Sequence, residues 1–129
     1  MTNKVFTYLT IATNGTTHEF HHRLRPDQTR RAALRATLGG ELERIRVVYP
    51  TLYVGCDTEG WVKGLDANHI GSRLVHRIGQ PAPLRYHRAG NPDVLWVGTL
   101  IMAGYDDGTF ISLTSAQIWA VLAELDHCR

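Results

Sequence analysis

The sequence predicts an α+β domain: a mostly antiparallel sheet built from hairpins, with about three helices packed against it. Three observations carry that expectation. Short runs rich in β-branched and aromatic residues flank turn chemistry at Asn14-Gly15, at Asp57-Thr58-Glu59-Gly60 and at Asp106-Asp107-Gly108. Segments with helical spacing of apolar residues alternate with those runs and are bounded by cap residues. The 129 residues, 43% hydrophobic and 20% charged, suit one domain over 1–129 with a sizeable core.

Lys4 to Leu24 reads as a hairpin. VFTYLTIAT has strand composition, Asn14-Gly15 signals a two-residue type I′ turn, and TTHEFHHRL returns. Val5, Thr7, Leu9 and Ile11 share one face, which directs Leu9 and Ile11 to the core. A helix is expected from about Asp27 to Leu38, with Pro26 and Asp27 at its start and Gly39-Gly40 ending it. Arg30, Arg31 and Arg35 fall on its solvent side.

Glu41 to Val48 alternates as a strand, imperfectly around Arg44, which suggests a bulge there. After Pro50, TLYVGCD forms a strand and Asp57 to Gly60 turns it. Trp61 to Leu65 is expected to return as a short strand completing the hairpin. Asp66-Ala67-Asn68 starts a helix from His69 to Ile78, with Ile70, Leu74 and Ile78 on one stripe. Gly79 to Asp93, with Pro81, Pro83 and Pro92, reads as one long loop. Val94 to Ala103 is the most apolar run and is expected to be a central strand buried on both faces. Thr109 to Leu113 returns, Thr114 or Ser115 caps a last helix, and Ile118, Val121, Leu122 and Leu125 point inward.

No apolar run approaches the ~18 residues that span a bilayer. The N-terminal MTNKVFTYLTIATNG is too broken by threonine and Asn-Gly for a signal peptide. A cytoplasmic protein without membrane association is expected. Cys56 and Cys128 show no CxxC spacing and read as two reduced thiols. The net charge is only +2, but 12 of the 14 basic residues are arginine, the side chain whose planar fork grips phosphate or carboxylate.

The central stretch carries a resemblance. Gly39-Gly40-Glu41-Leu42-Glu43 is followed by a strand and by Glu59-Gly60-Trp61-Val62-Lys63-Gly64-Leu65-Asp66-Ala67-Asn68. A short helix follows, then an apolar V-G-x-x-I-M-A-G strand from Val97 to Gly104 and a D-G-x-x-x-x-L segment. Over roughly residues 34 to 125 this resembles a family of small phage and plasmid proteins, domain-of-unknown-function family 3846. The basic second arm of the hairpin, the histidines and the Pro-rich loop depart from that pattern. The resemblance implies a bacteriophage or mobile-element origin and a cytoplasmic setting, and it implies no activity.

Catalytic chemistry finds little purchase. The acid pairs Asp57/Glu59 and Asp106/Asp107 lie in glycine turns and read as solvated turn formers. His21 and His22 are adjacent on a strand and point to opposite faces, and His69 and His76 are seven apart, so no metal site is expected. GxSxG, P-loop and GxGxxG motifs are absent, and Cys56 reads as a core residue. The expectation is a non-enzyme that needs no cofactor.

Two binding readings remain. In the first, the protein sequesters or senses a small phosphorylated or nucleotide ligand, such as a signal that host defence uses. The candidate residues are Asn68 at a helix start, Arg73 and Arg77 at i, i+4, and Lys63, Arg85 and Arg88 around them. In the second, Arg23, Arg25, Arg30, Arg31 and Arg35 contact a host protein or nucleic acid. A homodimer is compatible with both, because VLWVGTLIMAGY is more apolar than few helices can cover.

Overall fold

The computed structural model describes residues 5–45, 49, 51–78 and 95–129. Three strand–strand–helix units succeed one another. They are β1 (Val5–Ile11), β2 (Thr17–Arg23) and α1 (Arg30–Leu38), then β3 (Leu42–Ile45), β4 (Leu52–Asp57) and α2 (His69–Ile78), then β5 (Leu100–Asp106), β6 (Thr109–Ile111) and α3 (Ser115–Asp126). All strand pairs are antiparallel, in one six-stranded sheet ordered β2-β1-β5-β4-β3, with β6 also on β5. The fold is α+β, as the hairpin composition predicts.

The sheet is buried on both faces, which the alternation in β1 does not announce. Leu9 and Ile11 pack with Val54, Met102, Leu74 and Leu125 under α2 and α3. Phe6 and Tyr8, one residue out of phase, pack with Ala33, Leu34, Tyr53 and Ile101 under α1. Because successive side chains on a strand point to opposite faces, β1, β4 and β5 must be apolar at nearly every position. The same logic removes the bulge expected at Arg44. The β3–β4 register runs unbroken from Leu42↔Asp57 to Ile45↔Val54. Leu42 serves the α1 face and Ile45 the opposite one.

Turn chemistry differs from expectation in a instructive way. The first hairpin closes through Thr13-Asn14-Gly15, with Gly15 N–H donating to Ala12 C=O at 2.8 Å and Gly15 alone at positive φ (+85°). That is a three-residue loop ending in a left-handed glycine, not a type I′ turn. The type I′ geometry appears instead between β5 and β6, where Asp107 (φ 48°) and Gly108 (φ 79°) are both left-handed. Helix α1 begins later than expected. Pro26 and Asp27 lie in a turn, and Thr29 caps the helix by accepting from Ala32 N–H at 3.0 Å. Thr114 and Gln117 form a reciprocal capping box at the start of α3.

Two strand expectations are corrected. Residues 61–64 are turns, so β4 pairs with β3 and β5 rather than with a returning strand. The apolar run enters the sheet only at Leu100, because Gly98 (φ +75°) bends the chain and Val97 bridges Ala67 instead. The expected loop over residues 79–93, and the strand residues 46–48 and 94, fall outside the described residues.

Candidate functional site

The most distinctive surface is built where α1 ends. Gly39 takes the left-handed cap position (φ 81°) and its N–H returns to Arg35 C=O. Its neighbour Gly40 lies directly against the Asp57 carboxylate at the end of β4. Asp57 is 7% exposed, and its Oδ1 accepts the Glu59 N–H at 2.9 Å. Its Oδ2 lies 2.5 Å from Lys63 Nζ, which also donates to Gly39 C=O at 3.2 Å. Burial alone would raise the Asp57 pKa. The Lys63 ammonium and the Glu59 N–H outweigh it and hold the carboxyl below its ordinary range. Asp57 is thus a buried, paired carboxylate and not a solvated turn former.

This ion pair fixes the loop between Asp57 and Leu65. Overlapping turns bind it internally, with Lys63 N–H on Glu59 C=O at 2.9 Å and Leu65 N–H on Gly60 C=O at 3.0 Å. At its tip the loop presents apolar side chains, Trp61 being 46% exposed, Val62 87% and Leu65 38%, flanked by the exposed Glu59 and Lys63. Lys63 also ties the loop to the C-terminal cap of α1, and the following Glu41 receives both Arg31 from the first turn of that helix and Arg35 from its last. Glu41 Oε1 lies 3.0 Å from Arg31 and Oε2 3.1 Å from Arg35, all three side chains about half exposed. Further along the same face of the sheet, the Arg44 guanidinium stands 4.7 Å from the Tyr105 ring centroid and 5.5 Å from that of Tyr53. Burial pushes the Tyr53 phenol up, while Arg31 and Arg44 pull it back, which marks both arginines as its neighbours. Arg30 is 6.0 Å from the Phe6 centroid. Arg23 and Arg25 are exposed at and beyond the end of β2, Arg25 being 4.0 Å from Asp27.

The residues proposed from sequence for a phosphorylated ligand are differently employed. Asn68 is completely buried. Its Nδ2 donates to Ile11 C=O and Gly98 C=O, both at 2.9 Å, and its Oδ1 accepts Gly71 N–H at 2.8 Å. It caps α2 and clamps that helix to the sheet, so the helix start is closed to an anion. Arg73 donates to Cys128 C=O at 3.0 Å and Arg77 pairs with Glu124 at 2.7 Å, both tying α2 to the end of α3. Lys63 belongs to Asp57. Arg85 and Arg88 lie outside the described residues.

Among the described residues, nucleophile and metal chemistry find no assembled site. Cys56 and Cys128 are free and buried. Burial first, then Glu43 and Asp57, push the Cys56 thiol up to about 12, and burial also raises that of Cys128. His21 reaches Glu19 at 2.6 Å and Thr7 at 3.1 Å, whereas His22 turns to Gln28 at 3.1 Å. Among the described residues no group of three or more His, Cys, Asp or Glu could hold a metal ion. No described helix is long and apolar enough to cross a membrane.

Sequence reasoning missed the Trp61–Val62 tip by reading it as a strand. The signal was present in Gly60 and Gly64, which bracket Trp61-Val62-Lys63 and favour successive turns over extended pairing. No family model matches the chain, and neither a curated protein nor a solved structure is significantly similar to it.

Proposed function

We propose that the protein is a non-enzymatic binding module that docks on another protein through the Trp61–Val62 loop and the Arg31 and Arg35 side chains of α1. The observation that carries this reading is an exposed apolar tip joined through Lys63 to Asp57 and to the Gly39 carbonyl at the end of α1, the helix that carries Arg31 and Arg35. Tryptophan and arginine are the side chains most enriched at the energetic centres of protein interfaces. The partner surface would be apolar at its centre and acidic at its edge.

Charge favours a protein over nucleic acid. Arg31 and Arg35 share the single Glu41, and Lys63 is answered by Asp57, which leaves a modest positive excess suited to an acidic rim. Nucleic-acid affinity rests on many unanswered cations. The engagement of Asn68, Lys63, Arg73 and Arg77 within the fold likewise weighs against a small phosphorylated ligand at that set. A mobile-element origin, which the resemblance implies, would make the partner a host protein in the cytoplasm.

The test is an affinity purification from bacterial lysate with wild type, Val62→Glu and Arg31→Glu/Arg35→Glu, followed by mass spectrometry. One protein retained by wild type and lost from both variants is the expected result. Equal retention by all three would remove the loop and α1 from the interface. A nucleotide released on denaturing the purified protein would revive the ligand reading. Salt-sensitive retention of nucleic acid would move the assignment to the arginines alone.

A further inference from the structure

The sheet face that α1 crosses continues past that helix to Arg44 of β3. The β3–β4 register sets Arg44 opposite Gly55, and Leu42 opposite Asp57. Gly55 leaves room that a side chain would fill, since a β-carbon there would stand 2.9 Å from Tyr53 Cε1. The Tyr53 ring leans into that room. With Tyr105 and Phe110 it makes a bed of three rings whose centroids lie 5.6, 4.7 and 5.4 Å apart. The Arg44 guanidinium rests on the two tyrosines of this bed.

Arg44 is exposed, and it differs from the other placed arginines in how its donors are spent. Arg31 and Arg35 share Glu41, Arg73 donates to the Cys128 carbonyl, Arg77 meets Glu124 and Arg129 lies 3.6 Å from Asp126. Among the described residues no acceptor takes the Arg44 N–H groups, and the contacts of its guanidinium are the two rings. A ring contact uses the face of a guanidinium and leaves its N–H edge free for a planar acceptor. Arg44 is thus held in place with its hydrogen-bonding edge unspent.

We propose that Arg44 on its bed of Tyr53 and Tyr105 is a carboxylate-recognition site, which takes an aspartate or glutamate side chain of the protein docked at the Trp61 loop. This rests on the docking surface proposed above and extends it along β3. Arg44 follows Leu42 by two residues on one face, so it lies about 7 Å from the Leu42–Asp57 pair that anchors the loop. One unanswered guanidinium matches the single charge and two oxygens of a carboxylate. A phosphate calls for a second unanswered cation, and Arg31, the other cation beside Tyr53, is committed to Glu41. Holding the guanidinium in advance lowers the ordering cost of binding.

An NMR titration of the full chain with sodium acetate, against sodium chloride at matched ionic strength, tests the site. It follows the Arg44 Nε–H signal and the Tyr105 ring. The expected result is a saturable shift with acetate, larger at Arg44 than at Arg31 or Arg35 and absent with chloride. In Arg44→Lys, which keeps the charge and removes the planar fork at an exposed position, the Tyr105 shift should disappear. A response that chloride reproduces, that spreads evenly over the arginines or that Arg44→Lys retains would overturn the assignment. So would tighter binding of inorganic phosphate than of acetate. The titration needs no partner, so its failure is read apart from failure of the Trp61 surface, which the affinity purification tests. In that purification Arg44→Lys should retain about tenfold less of the protein that wild type holds, and equal retention would remove the carboxylate from the interface.

Discussion

Gly40 and the carboxylate of Asp57 occupy neighbouring space so closely that a β-carbon at position 40 would stand 2.5 Å from Asp57 Oδ2. The glycine that follows the α1 cap is therefore a clearance for a buried charge, and the charge in turn holds the loop that presents Trp61 and Val62. One contact joins the end of α1, the end of β4 and the proposed interface.

Gly40→Ala should accordingly destabilise the protein by about 1–3 kcal/mol, the usual cost of forcing extra volume into a filled site. Urea unfolding reads this as a lower midpoint with an unchanged slope. A neutral effect would mean that Asp57 has room to move.

The two halves of the ion pair should respond unequally. The Asp57 side chain is 4% exposed and that of Lys63 38%. Lys63→Met strands the less exposed partner and should cost about 1–3 kcal/mol, less than for a fully buried pair because water reaches Lys63 and the Glu59 N–H remains. Asp57→Asn leaves an ammonium that can turn to water, and the new amide oxygen can still accept from Glu59 N–H. It should cost clearly less. Equal losses in paired denaturation curves would contradict this account of the burial.

The pH dependence follows from the depressed Asp57 pKa. An unfolded aspartate titrates near ~4. With a lower folded-state value, the pair's contribution is complete above that pH and is lost as the pH falls through the folded-state value. The stability gap between wild type and Asp57→Asn should be constant from pH 5 to 7 and narrow in more acidic solution. A gap that widened on acidification would reverse the sign of the assignment.

Asn68→Ala should be among the most damaging single changes. It leaves Ile11 C=O, Gly98 C=O and Gly71 N–H buried without their partner, and each such group costs about 1–3 kcal/mol. Asn68→Asp should be no better, since a carboxylate would face two carbonyl oxygens. Thermal unfolding is the readout. A well-folded Asn68→Ala protein would remove the clamp from the list of fold determinants.

Cys56 should be inert to thiol reagents in the folded state, since its pKa of about 12 keeps it protonated at neutral pH. Its labelling rate should therefore follow global unfolding. The raised value also predicts falling stability above pH ~9, where the unfolded thiol ionises and the folded one does not. Rapid labelling of Cys56 in native buffer would contradict both statements.

What the sequence determined by itself was local. Strand composition placed β1, β2, β4 and β6, helical spacing placed α2 to the residue, and Gly39 and Thr114 marked helix ends, because these signals depend on neighbours a few positions away. Even so, Asn-Gly did not set its own turn type, since the register of β1 on β2 chose a three-residue loop. The tertiary structure decided which faces were covered. Phe6 and Leu42 became core only because α1 crosses the face opposite α2 and α3. It also decided which polar groups remained available. Asn68, Lys63, Arg73 and Arg77 looked like free ligand-binding groups in the sequence. Their partners, Ile11, Asp57, Cys128 and Glu124, lie 57, 6, 55 and 47 residues away. Except for Asp57, no local pattern encodes such partners. Burial and pairing are properties of the packed chain, and they separate the groups that hold this fold from those left to meet another molecule.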